Sequence, residues 1–141
     1  MPDKLKRACL LLLATMLAAC AGDSPEQRLR DTIAAMADAV ESKDAGGFIA
    51  HVSDDFDGDH GSFDRQSLRG FLAAQMMRKQ SLGVTLGPLD VKVQGDRATV
   101  RVDALVTGGE GLLPDSGEHL DIESGWRLVD GEWVCYVAEL K

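Results

Sequence analysis

Four sets of side chains have the types and spacing that chemistry requires, and each would do a different chemistry. Asp55, Asp57 and Asp59 alternate as do the oxygen donors at the first, third and fifth positions of a calcium-binding loop. That pattern then breaks: His60 stands where the sixth position needs glycine, and Gln66 where the twelfth needs a bidentate glutamate. The stretch Asp54 to Asp64 is therefore expected as an acidic loop in which Ser62 or Asp64 caps a following helix. His51, His60 and His119 lack the close helical spacing that gathers zinc, so zinc dependence is not expected, and no metal or cofactor is assigned. Asp103, Asp121, Glu123 and Tyr136 could move protons, and Cys20 and Cys135 carry thiols.

What these groups can do depends on the elements that hold them. Ser24-Pro25-Glu26-Gln27 has a serine cap, proline at the first helical position and an acid in the first turn. Leu29, Ile33, Met36, Ala37 and Val40 then recur at helical spacing and predict a core-facing stripe. Asp44 to Gly47 interrupts it, and Phe48, Ile49 and Val52 suggest a second short helix ending near Ser53. A third helix is expected from about Asp64, with Leu68, Phe71, Leu72 and Met76 on one face. Three helices thus precede any strand.

After Gly83 the period becomes two. Leu89, Val91 and Val93 alternate up to Gly95-Asp96, and Ala98, Val100, Val102, Ala104 and Val106 continue beyond it. With a two-residue turn, Val93 faces Ala98, Val91 faces Val100, Leu89 faces Val102, and Asp90 sits opposite Arg101. A second hairpin is expected from about His119 to Leu140, turning at Asp130-Gly131. It pairs Val129 with Glu132, Leu128 with Trp133, Trp126 with Cys135 and Ser124 with Val137, and lays Tyr136 across from Gly125.

This parity decides much of the chemistry. Asp103, Asp121, Glu123 and Tyr136 fall on the face opposite Val102, Ile122, Trp126 and Cys135, so no catalytic residue is assigned. Cys135 is expected as an inert buried thiol beside Trp126. Leu86, Leu105 and Val134 are expected on the outer face, where two copies could pair. The Leu112-Leu113-Pro114 loop is either a lid, a partner contact or a cover tucked over the core.

The N-terminus carries an address. Lys4, Lys6 and Arg7 precede Ala8 to Ala19, a dozen apolar or small residues, too few to span a bilayer core of ~30 Å. Leu17-Ala18-Ala19-Cys20 resembles the lipobox of bacterial lipoproteins, in which a signal peptidase cuts before a lipid-modified cysteine. Residues 1–19 are then a signal peptide and 20–24 a tether. In that family the residue after the cysteine directs sorting, and Ala21 implies the periplasmic leaflet of the outer membrane. The chain has 15 Lys and Arg against 23 Asp and Glu, a net charge of −8, and about −10 without the signal. Nucleic acid is thereby disfavoured as a partner.

Helices first, then long strands closing in Trp126-Arg127 and Asp130-Gly131-Glu132-Trp133, resemble the NTF2-like superfamily, which includes SnoaL-like proteins and ketosteroid isomerase. The resemblance covers residues 25–141. A narrower likeness, to small lipoproteins with this domain, rests on Asp55-Phe56, Gly58, Gly61, Asp64-Arg65 and Leu68-Arg69, and on Thr107-Gly108-Gly109 with Gly111-Leu112-Leu113-Pro114. It implies an α+β cone, three N-terminal helices packed on a curved antiparallel sheet, whose open end often holds a ligand. The first helix lacks the tyrosine that ketosteroid isomerase uses. The expected role is therefore a binding or interaction module for a small apolar ligand or an envelope protein, with a pocket lined by Phe48, Phe71, Met76, Trp126 and Trp133. The alternative is a small cofactor-free enzyme of the isomerase, dehydratase or hydrolase kind.

Overall fold

The computed structural model describes residues 22–110 and 116–141; Cys20, the expected signal peptide and Leu112-Leu113-Pro114 lie outside them. Helix α1 (Pro25–Glu41) starts as its sequence dictates, the Ser24 hydroxyl accepting from the Gln27 N–H at 3.1 Å. It buries Leu29, Ile33, Met36 and Ala39, so the stripe lies toward Ala39 rather than Ala37 at its C-terminal end. Helix α2 (Ala45–Ile49) is one short turn capped by Asp44. Helix α3 (Arg65–Arg78) opens on a reciprocal capping box between Asp64 and Ser67. No described helix is long and apolar enough to cross a membrane.

The described strands are β1 (Val52–Gly58), β2 (Ser81–Leu86), β3 (Asp90–Gln94), β4 (Arg97–Gly109), β5 (Ser116–Val129) and β6 (Glu132–Leu140). They form one sheet in the order β1-β6-β5-β4-β2, with β3 also on β4. Two expectations are corrected here. The acidic stretch after Val52 is an edge strand between the second and third helices, not a loop, and it runs parallel to β6, so the sheet is mixed. Aspartates point outward from β1 while Phe56 and Gly58 turn in. Charged side chains on an edge also discourage further strand addition.

The second correction is β2, which pairs with β4 from Ser81–Gly109 to Leu86–Ala104. Pro88 cannot donate to the ladder, so the same edge of β4 is shared between β2 and β3 around Gly87-Pro88. Because Leu86 pairs with inward-facing Ala104, it packs against the core and not on the outer face. Leu105 is exposed, and Val134 half-buried.

The first hairpin has the expected register at Val93–Ala98, Val91–Val100 and Asp90–Arg101, but β3 begins at Asp90, so Leu89 is not paired with Val102. In the second, Val129–Glu132, Leu128–Trp133 and Trp126–Cys135 are paired as expected, about a turn with positive φ at Asp130 and Gly131. A bulge then shifts the ladder, so Ser124 pairs with Ala138 and Gly125 with Val137. Tyr136 still covers Gly125: a Cβ there would lie 3.1 Å from Tyr136 Cζ and 2.7 Å from Val137.

The core runs along the inside of the curve. Leu29, Ile49, Val100 and Trp133 are its most completely buried side chains, each worth about 1.5–3 kcal/mol of transfer free energy. Trp133 closes the narrow end, donating its indole N–H to the Pro25 carbonyl at 2.9 Å, while Arg28 reaches the Gly131 carbonyl at 3.3 Å. At the other end of α1, Glu41 accepts from the Val84 N–H of β2 at 2.9 Å. The helix therefore braces both ends of the sheet.

Candidate functional site

A cavity of about 750 Å³ opens between the helices and the concave sheet face. Its helical wall comes from Ile33, Met36 and Val40 of α1, from Phe48, and from Leu68, Phe71, Leu72 and Met76 on and around α3. Its sheet wall follows the inward residues of paired strands. Val100, Val102 and Ala104 of β4 lie beside Ser124, Ile122 and Leu120 of β5, with Trp126 and Cys135 at the deep end.

This deep region is apolar, and its polar atoms are accounted for. Ser124 is buried; it accepts the Trp126 indole N–H at 2.9 Å and stands 3.3 Å from the Val100 carbonyl as donor. Burial pushes the Cys135 thiol up to about 12, and its sulfur lies 3.3 Å from the Val137 carbonyl. A thiol so protonated is a poor nucleophile at neutral pH.

Charge collects at the mouth. Asp59, Lys79, Glu118 and Glu139 line it together with Gln75 and Ser116. Phe71 and Leu140 add half-exposed apolar surface to the same rim, at 49% and 51%. The Lys141 ammonium, 2.7 Å away, holds the Glu139 carboxyl below its usual range, with His60 3.4 Å off on the other side.

Four of the five residues expected around a pocket, Phe48, Phe71, Met76 and Trp126, stand on this wall. Trp133 does not. It shares Trp126's parity but lies nearer the hairpin turn, in the closed end against α1, 2% exposed. Sequence reasoning missed Lys79, Glu118 and Ser124. Glu118 and Ser124 could have been found, because both share the parity of Leu120, Ile122 and Trp126 along β5.

The ionisable groups set aside by parity sit outside the cavity. Arg101 pairs with Asp121 at 2.9 Å, and its hydrogen bond holds the Asp121 carboxyl low. Asp103 lies 3.7 Å from His119. On the same face Asp55 of β1 reaches across β6 to Arg127 of β5, making two hydrogen bonds, one of them 3.0 Å from Nη1 to Oδ2. That contact, with help from the Ser53 hydroxyl at 2.8 Å, lowers the Asp55 carboxyl to about 2. Arg127 and Arg97 both approach the Tyr136 ring, at 5.4 and 5.2 Å from its centroid. Asp57 accepts from the Gly61 N–H at 2.7 Å, so it serves the turn after β1. Among the described residues no group of three or more His, Cys, Asp or Glu side chains is arranged to hold a metal.

Solved structures repeat this architecture. An NTF2-like protein with a cystatin-like fold from Novosphingobium aromaticivorans is 20% identical and matches 91% of this chain and 86% of its own, at a TM-score of 0.69. The fold is NTF2-like. A candidate dehydratase of the NTF2-like family from Streptomyces avermitilis is 16% identical over 83% of this chain and 96% of its own, at 0.70. A Nostoc punctiforme protein of unknown function with a cystatin-like fold is 15% identical over 82% and 88%, at 0.65. No family model matches the sequence, and no curated protein matches it. A shared fold does not fix a function, which has to be argued from the cavity.

Proposed function

We propose that this chain is a binding module that takes a small, mainly apolar molecule into its cone. The observation that carries the reading is the cavity itself: about 750 Å³, apolar to its floor, with the Ser124 hydroxyl already engaged by Trp126. Such a volume suits a ligand that hides most of its surface and needs few polar anchors. The candidate dehydratase among the solved structures makes a small enzyme the natural competitor. Proton transfer, however, needs an ionisable group at the reacting atoms. Around the deep cavity the described residues offer a thiol raised to about 12 and an engaged hydroxyl; the carboxylates stand at the rim.

The place of work belongs to the same proposal. Lys4, Lys6, Arg7, the short apolar run and Leu17-Ala18-Ala19-Cys20 support export and acylation at Cys20, and Ala21 supports the outer membrane's periplasmic leaflet. At ~0.8 kcal/mol per buried CH₂, two or three acyl chains anchor a protein durably where one does not. Because α1 begins at Pro25, the domain would ride on a tether of a few residues.

The test is extraction of what the protein carries. Protein solubilised from its own membranes is stripped with organic solvent, and its bound molecules are identified by mass spectrometry beside an Ala104→Phe variant, whose ring would occupy the cavity. One compound near stoichiometric amount in the wild type and lost from the variant supports binding. Equal trace amounts in both contradict it.

A further inference from the structure

Resting on the reading of the cavity as a ligand site, we infer that the ligand is an amphiphile with a single anionic head, a long-chain carboxylate, seated at Lys79 with its apolar body running in toward Trp126. Lys79 is the residue at which α3 ends, its N–H still bonded to the Gln75 carbonyl at 3.2 Å. Its own carbonyl accepts from the Lys43 ammonium, so the peptide units around it are fixed from both sides. The aliphatic stem lies across β4. A Cβ on buried Gly108 would stand 3.3 Å from Lys79 Cδ and 3.4 Å from Cγ, so the glycine is what lets the stem lie there.

The ammonium is thus delivered to the mouth. Among the described residues no carboxylate lies within salt-bridge distance, and the one hydrogen-bond partner is the Ser116 hydroxyl at 3.5 Å. That hydroxyl already donates to the Gly108 carbonyl at 2.9 Å. Gln75, one turn earlier on α3, also lines the cavity and brings an amide able to donate. A carboxylate at this spot would gain a charge-assisted hydrogen bond from a cation already held in place.

Three acids share the rim, and they set the head's charge rather than reverse it. Glu139 is neutralised by Lys141 at 2.7 Å. Glu118 is exposed on β5, and Asp59 stands across the opening, beside the β6 backbone. Their repulsion acts through water that screens over about 8–10 Å, whereas Lys79 meets the head directly. A doubly charged phosphate would feel that repulsion twice for one contact; a monoanion is the better fit.

The test uses the full chain in its isolated membranes. Diazirine-bearing dodecanoate, dodecanol and dodecylamine are photo-crosslinked in turn, and labelled residues are mapped by mass spectrometry. The carboxylate should label the cavity wall around Ala104, Leu120 and Ile122 at about five- to tenfold lower concentration than the alcohol. Lys79→Met should bring the carboxylate to the level of the alcohol measured in the same variant, and Lys79→Arg should keep the preference. Equal labelling by all three, strongest labelling by the amine, or a preference that survives in Lys79→Met would overturn the assignment of the head but not the binding reading. Absence of cavity labelling by any of the three would overturn both.

Discussion

The indole N–H of Trp126 donates to the Ser124 hydroxyl at 2.9 Å, so two neighbours on one face of β5 satisfy each other inside an apolar wall. Replacing Ser124 by alanine should strand that buried N–H. Unfolding in urea should then show a loss of about 1–3 kcal/mol, the cost of an unmade bond to a buried donor.

Acid should weaken the protein through its outer face. The Arg127 contact lowers the Asp55 carboxyl from 3.8 to about 2, and hydrogen bonds lower Asp64 and Asp121 as well. A carboxyl depressed in the folded state stabilises above its unfolded pKa, and that stabilisation is lost as pH falls toward the folded value. Melting temperature should therefore fall between about pH 4 and pH 2. The Asp55→Asn variant should start lower at pH 6 and lose less across that interval.

The hairpins and the hidden strands divide what the sequence discloses from what it conceals. Asp90 opposite Arg101 and Leu128 opposite Trp133 were legible because a glycine-bearing two-residue turn and strict alternation together fix a register. The bulge that moves Ser124 from Val137 to Ala138 adds one backbone residue and leaves no mark in composition. Strand β1 was concealed by its aspartates, which read as a loop until Phe56 and Gly58 are seen turning inward. In β2 every residue but Thr85 is half-buried, so no clean alternation announces it.

The two tryptophans show the same limit within the site. Alternation gives the face of a strand, not the height along it, and Trp126 and Trp133 share a face while only Trp126 reaches the cavity. Lys79 was concealed differently. Its position at the end of α3 gives no hint that its stem crosses β4 at Gly108.

Cys135 should be slow to react. With its thiol pushed up to about 12 and its side chain buried, alkylation of the Cys135 peptide at pH 8 should take hours in the native protein and minutes after unfolding. Equal rates in the two states would mean that the deep wall is open to solvent.

Mass spectrometry of the membrane-extracted protein should find a chain beginning at Cys20 and carrying acyl mass. Cys20→Ser should shift the protein from the membrane to the soluble fraction. A chain that starts elsewhere or lacks acyl mass would contradict the anchor.

Quenching of the two tryptophans tests the cavity most directly, since a bromine on an apolar chain quenches only an indole it touches. Octadecanoate brominated at its far end, long enough to run from the rim to the deep wall, is titrated into wild type, Trp126→Phe and Trp133→Phe, which between them remove each of the chain's 2 tryptophans in turn. Saturable quenching should appear in the wild type and in Trp133→Phe and vanish in Trp126→Phe, placing the chain against the deep wall. Quenching that persists in Trp126→Phe, or fails in all three, would contradict a ligand held in this cavity.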